Sequence, residues 1–351
     1  MTTKLSTNNR VYWACQGVGI APHGSVAFVG VHGVQSIGIT TTFNLEQVFE
    51  IGQLSIYENI ENIPDIEVTM EKVLDGKPLI YHLATQGATS ASLAGRSNAR
   101  CNVALNIYPD TFEAASGNPI TEVIMSGMYI SSVSYTIPID GNCTEAVTLV
   151  GNDKVWRSSD FKLTGASILS VLPALDSPVL ASGGVQRREN VKFDTSWWNG
   201  YTKLPTEIEG ISASGTNNQT TASVYDAHIQ NLSVSVDLGR EALNELGRRA
   251  PYFRYINFPV EVTSEIEVTS SEGDQISATE EGVLGSGMNL TDQEIIIVME
   301  DSTKINLGTR NKLSNVSYGG GDAGGGNAVV TYSYTNFNDF VVTHDQDPSS
   351  L

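Results

Sequence analysis

The sequence predicts a mainly β protein built from two related modules. Its 351 residues include 33 glycines and are rich in Ser, Thr, Asn and Val, a composition typical of strands and turns. Several segments alternate apolar and polar residues with a period of two, the pattern of a strand with one buried face. A long segment also recurs later in the chain, and each copy is long enough to bury its own core.

The internal repeat defines the predicted organisation. Residues 34–57 recur at 229–252, a shift of 195 positions (229 minus 34), and later segments match at smaller shifts. The matches are Gln35 with Gln230, Glu46 with Glu241, Glu50 with Glu245, Gly52 with Gly247, Tyr57 with Tyr252, Pro64 with Pro259, Glu67-Val68-Thr69 with Glu261-Val262-Thr263 at 194, and Val133-Ser134-Tyr135 with Val316-Ser317-Tyr318 at 183. A shift that only falls fits two copies of one fold with loop deletions. We therefore predict a first domain over 1–156, a connector over 157–212 and a second domain over 213–351.

Half-buried antiparallel strands are predicted in both copies. Their ranges are 36–43, 66–70, 102–108, 123–137 and 146–150 in the first copy, and 232–236, 260–268, 294–299, 313–318 and 328–334 in the second. The apolar run over 168–181 predicts a connector that packs against the domains, because a free linker would be polar. Residues 343–351 are expected to form a solvated tail.

A short helical element is expected between the first two strands of each copy. In the second copy, Asp237 is a good N-cap, 241–246 have helical propensity, and Gly247 suits the left-handed residue that ends a helix. Asn44 and Gly52 punctuate the first copy in the same way.

Charge and cysteine usage limit the function classes. The chain has 20 basic and 39 acidic residues, a formal net charge of −19. Nucleic-acid binding needs Lys and Arg side chains against the phosphates, so the chain should not bind DNA tightly, although DNA could pass beside it. Three cysteines without a CxxC motif, and the absence of a signal-peptide or membrane-spanning segment, favour a reduced protein assembled in the cytoplasm.

Motifs for catalysis are absent. The sequence contains no GxSxG, HExxH or phosphate-loop motif, so we predict no catalytic residue, no metal site and no cofactor. Trp197-Trp198 is best interpreted as an anchor between domains or subunits, and a sugar-stacking platform is the alternative. Acidic residues on the alternating strands 66–71 and 261–267 could belong to a plain solvated sheet face, but their recurrence in both copies favours a shared environment.

At 241–268 the chain resembles the tail tube proteins of long-tailed bacteriophages, and 46–73 show the same order of strand, short helical turn ending at Gly, Tyr-containing segment, Pro and alternating strand. This resemblance implies two tandem homologous β-sandwich or half-barrel domains, each with a short flanking helix. In that family six such domains form a ring whose strands close into an inner barrel, and stacked rings make the tail channel. Members with two fused domains form trimers with pseudo-sixfold symmetry.

The resemblance also implies roles and partners. The candidate channel-lining residues are Glu67, Thr69, Glu71, Glu261, Thr263, Glu265 and Glu267, and the candidate ring or inter-ring contact loops contain Asp140, Gly141, Gly320, Asp322 and Gly325. Expected partners are further copies of the chain, a tape-measure protein, a sheath if the tail contracts, tail terminator and baseplate proteins, and double-stranded DNA in transit without specific binding, with no membrane. The protein would reside in the virion. A baseplate or distal-tail ring, the tube of a phage-like injection system and a carbohydrate-binding β-sandwich adhesin are the alternatives.

Overall fold

The computed structural model describes residues 10–109, 118–158, 172, 176–217, 226–276, 291–321 and 325–348. Within these ranges the chain is mainly β, as predicted. The strands of the first copy are β1 (Gln16–Pro22), β2 (Val29–Gly30), β3 (Val34–Thr42), β4 (Leu45–Phe49), β5 (Ile56–Glu61), β6 (Asp65–Val73), β7 (Cys101–Ile107), β8 (Thr121–Pro138), β9 (Thr144–Gly151) and β10 (Asp153–Ser158). Those of the second copy are β11 (Ile229–Asp237), β12 (Arg240–Leu243), β13 (Phe253–Ile256), β14 (Glu261–Thr269), β15 (Ile296–Val298), β16 (Lys304–Asn306), β17 (Lys312–Gly319), β18 (Val329–Phe337) and β19 (Val341–Thr343). Two short α-helices, α1 (Ile80–Ala84) and α2 (Leu93–Arg96), follow β6.

Eight strands form one continuous antiparallel sheet, which we call the main sheet. Its order is β3-β6-β9-β8-β11-β14-β18-β17. The first four strands come from the first copy and the last four from the second, and each set has the same internal order. The pairing of β8 with β11 therefore joins the two copies inside one chain.

The β-bulges of the main sheet fix the structural equivalence of the copies. Bulges occur between Val34 and Ser36 in β3, between Ile229 and Asn231 in β11, between Ile130 and Ser132 in β8, and between Leu313 and Asn315 in β17. These pairs match at the predicted shifts of 195 and 183. The residues opposite the first two bulges are Glu71 and Glu267, which lie 196 apart (267 minus 71).

The predicted match of Glu67 with Glu261 at a shift of 194 is therefore wrong by two residues. The shift does not only fall along the chain, because one extra residue lies between β13 and β14. A slip of two leaves every side chain on the same face, so the alternating pattern could not reveal it.

The segments expected to be helical between the first two strands of each copy are β-hairpins. β4 and β5 form the first, called arm 1 (residues 45–61), and β12 and β13 form the second, called arm 2 (residues 240–256). Gly52 and Gly247 have positive φ angles of 97° and 83°, as predicted, but they serve the hairpin turns. The helices that do flank the first copy, α1 and α2, come after β6, and the matching part of the second copy includes 277–290, outside the described residues.

One hydrophobic core lies against the inner face of the main sheet and runs through both copies. β8 extends it, because its first half pairs with β7 and β10 while its second half pairs with β9 and β11. α1 packs against β1, β7, β8 and β9. The backbone amides of Ile80 and Tyr81 at the start of α1 donate to the buried carboxylate of Glu145 over 2.6 and 3.1 Å, and the Tyr135 hydroxyl donates over 2.9 Å.

The described part of the connector and the C-terminal segment pack against the two copies. The Gln186 amide donates to the Leu74 carbonyl, and Lys192 donates to Val298 in β15, so the connector bonds to both copies. Residues 343–348, expected to be solvated, are instead docked: His344 is 6% exposed, and Asp347 accepts from the buried Arg96 guanidinium at 2.5 Å. The segment has few apolar residues, so its sequence does not indicate this docking, which uses polar contacts such as the Arg96–Asp347 ion pair and the hydrogen bond from the Ser302 hydroxyl to Asp345.

Candidate assembly surfaces

All seven candidate channel-lining residues lie on the solvent face of the main sheet, on β6 and β14. Glu67, Thr69, Glu261 and Glu265 are exposed, and Glu71, Thr263 and Glu267 are half-exposed. Their neighbours Ile66, Val68, Met70, Val262 and Ile266 are at most 2% exposed. The period-two prediction of the two faces is therefore confirmed, while the channel itself remains a prediction.

Hydroxyl side chains lie opposite several of these carboxylates. Thr40 of β3 lies opposite Glu67, and Ser233 and Ser333 lie on either side of Glu265. The eight strands contain no arginine and two lysines. Lys72 is buried on the core side, and Lys312 stands on the edge strand β17, where it pairs with Asp292 at 2.8 Å. The solvent face is thus mainly polar, and its carboxylates on β6 and β14 repel polyanions.

The two outer strands of the main sheet expose residues that are buried at the internal junction. Within the described residues, β3 pairs with β6 and β17 pairs with β18, and each presents a second, unpaired edge. Tyr135 on β8 is 1% exposed, whereas its equivalent Tyr318 on β17 is 53% exposed. Leu232, Val234 and Val133 are each 2% exposed, and their equivalents Ile37, Ile39 and Val316 are half-exposed.

Both arms expose apolar side chains at their turns. Ile51 in arm 1 and Leu246 in arm 2 are equivalent residues and are fully exposed, at 103% and 105%. Leu54 and Tyr252 are also exposed, at 107% and 58%. Two-stranded hairpins are only marginally stable alone in water, so the exposed apolar tips make the arms candidate contact surfaces.

The arms differ in charge and in their attachment to the body. Arm 1 contains four glutamates and no basic residue, whereas arm 2 contains four arginines and two glutamates. Arg254 of arm 2 forms an ion pair with Asp65 at the start of β6 and donates to Asn152 at 3.1 Å. Arg249 donates to the Glu61 carbonyl in arm 1. Arm 2 therefore leans over the first copy of its own chain.

The predicted contact loops lie at the end of the sheet away from the arms. Asp140 and Gly141 form the turn between β8 and β9, and Gly320 and Gly325 belong to the turn between β17 and β18. The Asp140 side chain is 95% exposed and lies 3.8 Å from the Arg188 guanidinium. The structure does not bring the two turns together, because β11 and β14 separate their hairpins. Asp322 lies outside the described residues.

Two grooves open at that same end of the sheet. Groove 1, of about 470 Å³, is lined by Ile137, Ile139, Val191, Phe193, Ile229 and Leu232. Groove 2, of about 780 Å³, is lined by Trp13, Val18, Val31, Val34, Gln35 and Ile37. Val34 and Ile37 are the equivalents of Ile229 and Leu232, and both grooves contain a Gln side chain that donates over 3.1 Å to the carbonyl two residues earlier. The grooves are thus repeated features of the duplicated fold.

Within the described residues, no group of three or more His, Cys, Asp or Glu side chains is arranged to hold a metal ion. None of the described helices is long and apolar enough to cross a membrane. The three cysteines are buried as free thiols, and burial raises the pKa of Cys101 and Cys143 to about 12. The Trp197 and Trp198 rings are tilted by 41°, and Lys192 lies over Trp197, so they do not form one flat platform.

Comparison with known proteins finds no matching family model and no matching curated protein. Among solved structures, the chain is similar to a chain of the anti-feeding prophage baseplate, with 12% identity over 43% of this chain and 97% of that chain, at a TM-score of 0.32. It is also similar to a chain of the anti-feeding prophage cap, which terminates the tube, with 9% identity over 44% of this chain and 96% of that chain, at a TM-score of 0.32.

Sequence reasoning missed the arms and the exposed edges. A signal for the arms was present, because Val48, Phe49, Ile56 and Tyr57 are residues that favour strands. The exposure of Tyr318 had no such signal, since its local sequence is the same Val-Ser-Tyr as that of the buried Tyr135.

Proposed function

We propose that the protein is a non-enzymatic structural subunit whose copies join edge to edge into closed rings, and that stacked rings form a phage tail tube. The observation that carries this proposal is the pair of unpaired edges on β3 and β17. Their core-facing residues are the exposed equivalents of residues that the β8–β11 junction buries. Each free edge therefore carries the residues of one side of the β8–β11 junction, and a second copy of the chain would supply the strand for the other side.

The internal junction provides the register of the external one. At the internal junction Ser235 lies opposite Ser134 and Val234 lies opposite Tyr135. With the shifts of 195 and 183, Thr40 of one copy would lie opposite Ser317 of the next. Ile39 would lie opposite Tyr318, and both would become buried.

Such a junction is heterologous, because the two paired edges differ, and heterologous contacts form a ring when the rotation between neighbouring copies closes. With three copies the ring would contain six modules and about 24 main-sheet strands. At about 4.8 Å between strands and a tilt of roughly 40°, the backbone diameter is about 50 Å, which leaves an open channel. The apolar face of the main sheet is covered by the hydrophobic core, so the opposite, acidic face would line the channel.

An acidic wall suits the passage of DNA. A duplex carries one negative charge per about 1.7 Å, so it is repelled by carboxylates and slides without binding. The partners in this proposal are the tape-measure, terminator and baseplate proteins, and a sheath if the tail contracts. A baseplate or distal-tail ring is the alternative in the same class.

Disulfide trapping tests the ring contact. The double variant Thr40→Cys/Ser317→Cys should form covalent multimers up to a closed trimer, because the two sites lie on opposite edges of one chain, about 34 Å apart across seven strand spacings. The matched control is Ser36→Cys/Asn315→Cys, whose sites would be displaced by six residues, or about 20 Å, in the expected register. Equal cross-linking by both variants, or none by the first, would contradict the proposed junction.

Electron microscopy and ejection assays test the tube and its channel. Negative staining should show three-fold rings or tubes, while unstacked single rings favour the baseplate alternative and a glycan-binding monomer excludes both. Replacing Glu67, Glu71, Glu261, Glu265 and Glu267 by Lys should permit assembly but slow DNA ejection. Unchanged ejection would show that these residues do not line the channel.

A further inference from the structure

The contact between the two copies has a second layer outside the main sheet. In the first copy, β10 pairs with β8 and β8 pairs with β7; in the second, β19 pairs with β16 and β16 pairs with β15. β10 follows β9 along the chain as β19 follows β18, so β19 is the equivalent of β10 in the second copy. Both strands lie at the edge of their sheets within the described residues, but only β19 is covered by the other copy.

Helices α1 and α2 of the first copy cover β19. The His82 ring donates from Nε2 to the Val342 carbonyl over 3.0 Å, and Ser92, at the start of α2, forms a β-bridge with the same strand. The Tyr81 ring lies edge-on to Phe340, just before β19, with the ring centroids 5.7 Å apart. We call this contact of α1 and α2 with β19 the outer seam. It leaves Phe340 and Val342 fully buried.

The equivalent strand of the first copy has no such cover. Trp156 on β10 lies opposite the core residue Val123, as Val342 on β19 lies opposite the core residue Ile305, so Trp156 and Val342 occupy equivalent places. Val342 is fully buried, whereas Trp156 is 37% exposed and the adjacent Val155 is 38% exposed. An unpaired strand edge that exposes apolar side chains is a template for association with another chain.

We propose that β10 is a docking surface for a neighbouring copy of this chain, whose second module covers β10 as the first module covers β19. The direction of the contacts supports this occupant. Within one chain, the module that supplies β8 to the main-sheet junction also supplies α1 and α2 to the outer seam. In the proposed ring, the neighbouring chain places β17, the equivalent of β8, beside β3, and this brings its second module to β10. The inference rests on the proposed ring and adds an outer contact to its main-sheet junction.

Thiol alkylation tests the docking, because the three native cysteines are buried. Val155→Cys places one exposed thiol on β10, and Leu180→Cys, at a connector residue that is 82% exposed, is the matched control. Assembly should slow the reaction of Val155→Cys with a maleimide by about tenfold or more relative to the dilute, unassembled chain, since the thiol then reacts only in the free fraction. The control should react equally fast in both states. An unchanged rate for Val155→Cys in assembled rings or tubes, or equal slowing of both variants, would overturn the proposal.

A second variant separates the outer contact from the main-sheet junction. Burial of the exposed part of Trp156 would cover roughly 90 Å², so at about 25 cal/mol per Å² Trp156→Ala should weaken assembly under reducing conditions roughly 50-fold. The same substitution in the Thr40→Cys/Ser317→Cys background should still allow the ring disulfide to form on oxidation, and its melting transition checks that the chain is folded. Normal assembly of Trp156→Ala would overturn the outer contact and leave the ring standing. Absence of the disulfide in Thr40→Cys/Ser317→Cys itself would overturn the ring, and the outer contact with it.

Discussion

Truncation of Tyr318 should weaken assembly while leaving the isolated chain folded. The side chain is 53% exposed on the free edge of β17, and its equivalent Tyr135 is 1% exposed at the internal junction. Aromatic side chains bury about 150–250 Å² when enclosed, so ring closure would cover roughly 100 Å² of Tyr318. At about 25 cal/mol per Å², this burial contributes about 2.5 kcal/mol per junction, or roughly 60-fold in the association constant.

The assay compares two matched substitutions with the wild-type protein. Tyr318→Ala should reduce assembly by roughly that factor in a sedimentation dilution series and change the free energy of unfolding by less than about 1 kcal/mol, because the side chain is half exposed. Tyr135→Ala should instead destabilise the chain by about 3–5 kcal/mol. Leu180→Ala, which removes an apolar side chain that is 82% exposed in the connector, away from the edges, is the control and should assemble normally. Normal assembly of Tyr318→Ala, or an equal loss in Leu180→Ala, would refute the reasoning.

Three further predictions concern buried charges and arm 2. Burial and the nearby Arg96 lower the pKa of His82 to about 4. Its contribution of about 3 kcal/mol to the free energy of unfolding is therefore present above pH 6.5 and is lost as the pH falls towards 4. In chemical denaturation, the free energy of unfolding should differ less between pH 7 and pH 4.5 in His82→Asn than in wild type. Glu145→Ala should destabilise by about 3–5 kcal/mol because three buried donors lose their acceptor, whereas thermal melting of the control Glu58→Ala should match wild type. Arg254→Ala removes the ion pair with Asp65, so trypsin should cut after Arg248 and Arg249, which are unchanged in the variant, faster than in wild type, and an unchanged rate at these two sites would contradict the bracing contact.

The alternating strands were predictable because burial of one face leaves a period of two in the sequence. Residues 66–70 and 260–268 were predicted as strands, and β6 and β14 differ from those ranges by a few residues at the ends. The arms were mispredicted because Glu241, Ala242 and Leu243 favour a helix by local propensity. A segment that short cannot pay for helix nucleation alone, and pairing with β13 determines its conformation.

The candidate contact surfaces were harder to predict for a different reason. Tyr135 and Tyr318 share a local sequence, and their difference in exposure depends on which strand lies beside each one. The acidic face was predictable, because its residues alternate with buried ones. A channel lined by that face would require further copies of the chain, and contacts between copies leave no periodic pattern in the sequence.

The duplication makes the internal junction unequal to the proposed junction between chains. At the internal junction the Arg240 guanidinium donates to the Ile130 carbonyl at 2.7 Å, and Arg254 joins Asp65. The equivalents of Arg240 and Arg254 in the first copy are Leu45 and Asn59, so a junction between chains lacks both arginine contacts.

A junction between chains also has to gather separate molecules, a loss of translational and rotational freedom that the covalent connector avoids at the internal one. We therefore expect tubes in increasing urea to dissociate into folded chains before the chains unfold. Light scattering should fall at a lower urea concentration than the tryptophan fluorescence transition, and the gap should widen on dilution, because only dissociation depends on protein concentration. The variant Leu45→Arg/Asn59→Arg supplies the missing side chains and should move the first transition to higher urea without moving the second. Coincident transitions at every protein concentration would mean that the chain is not stable outside the ring, and that the internal junction is no stronger than the external one.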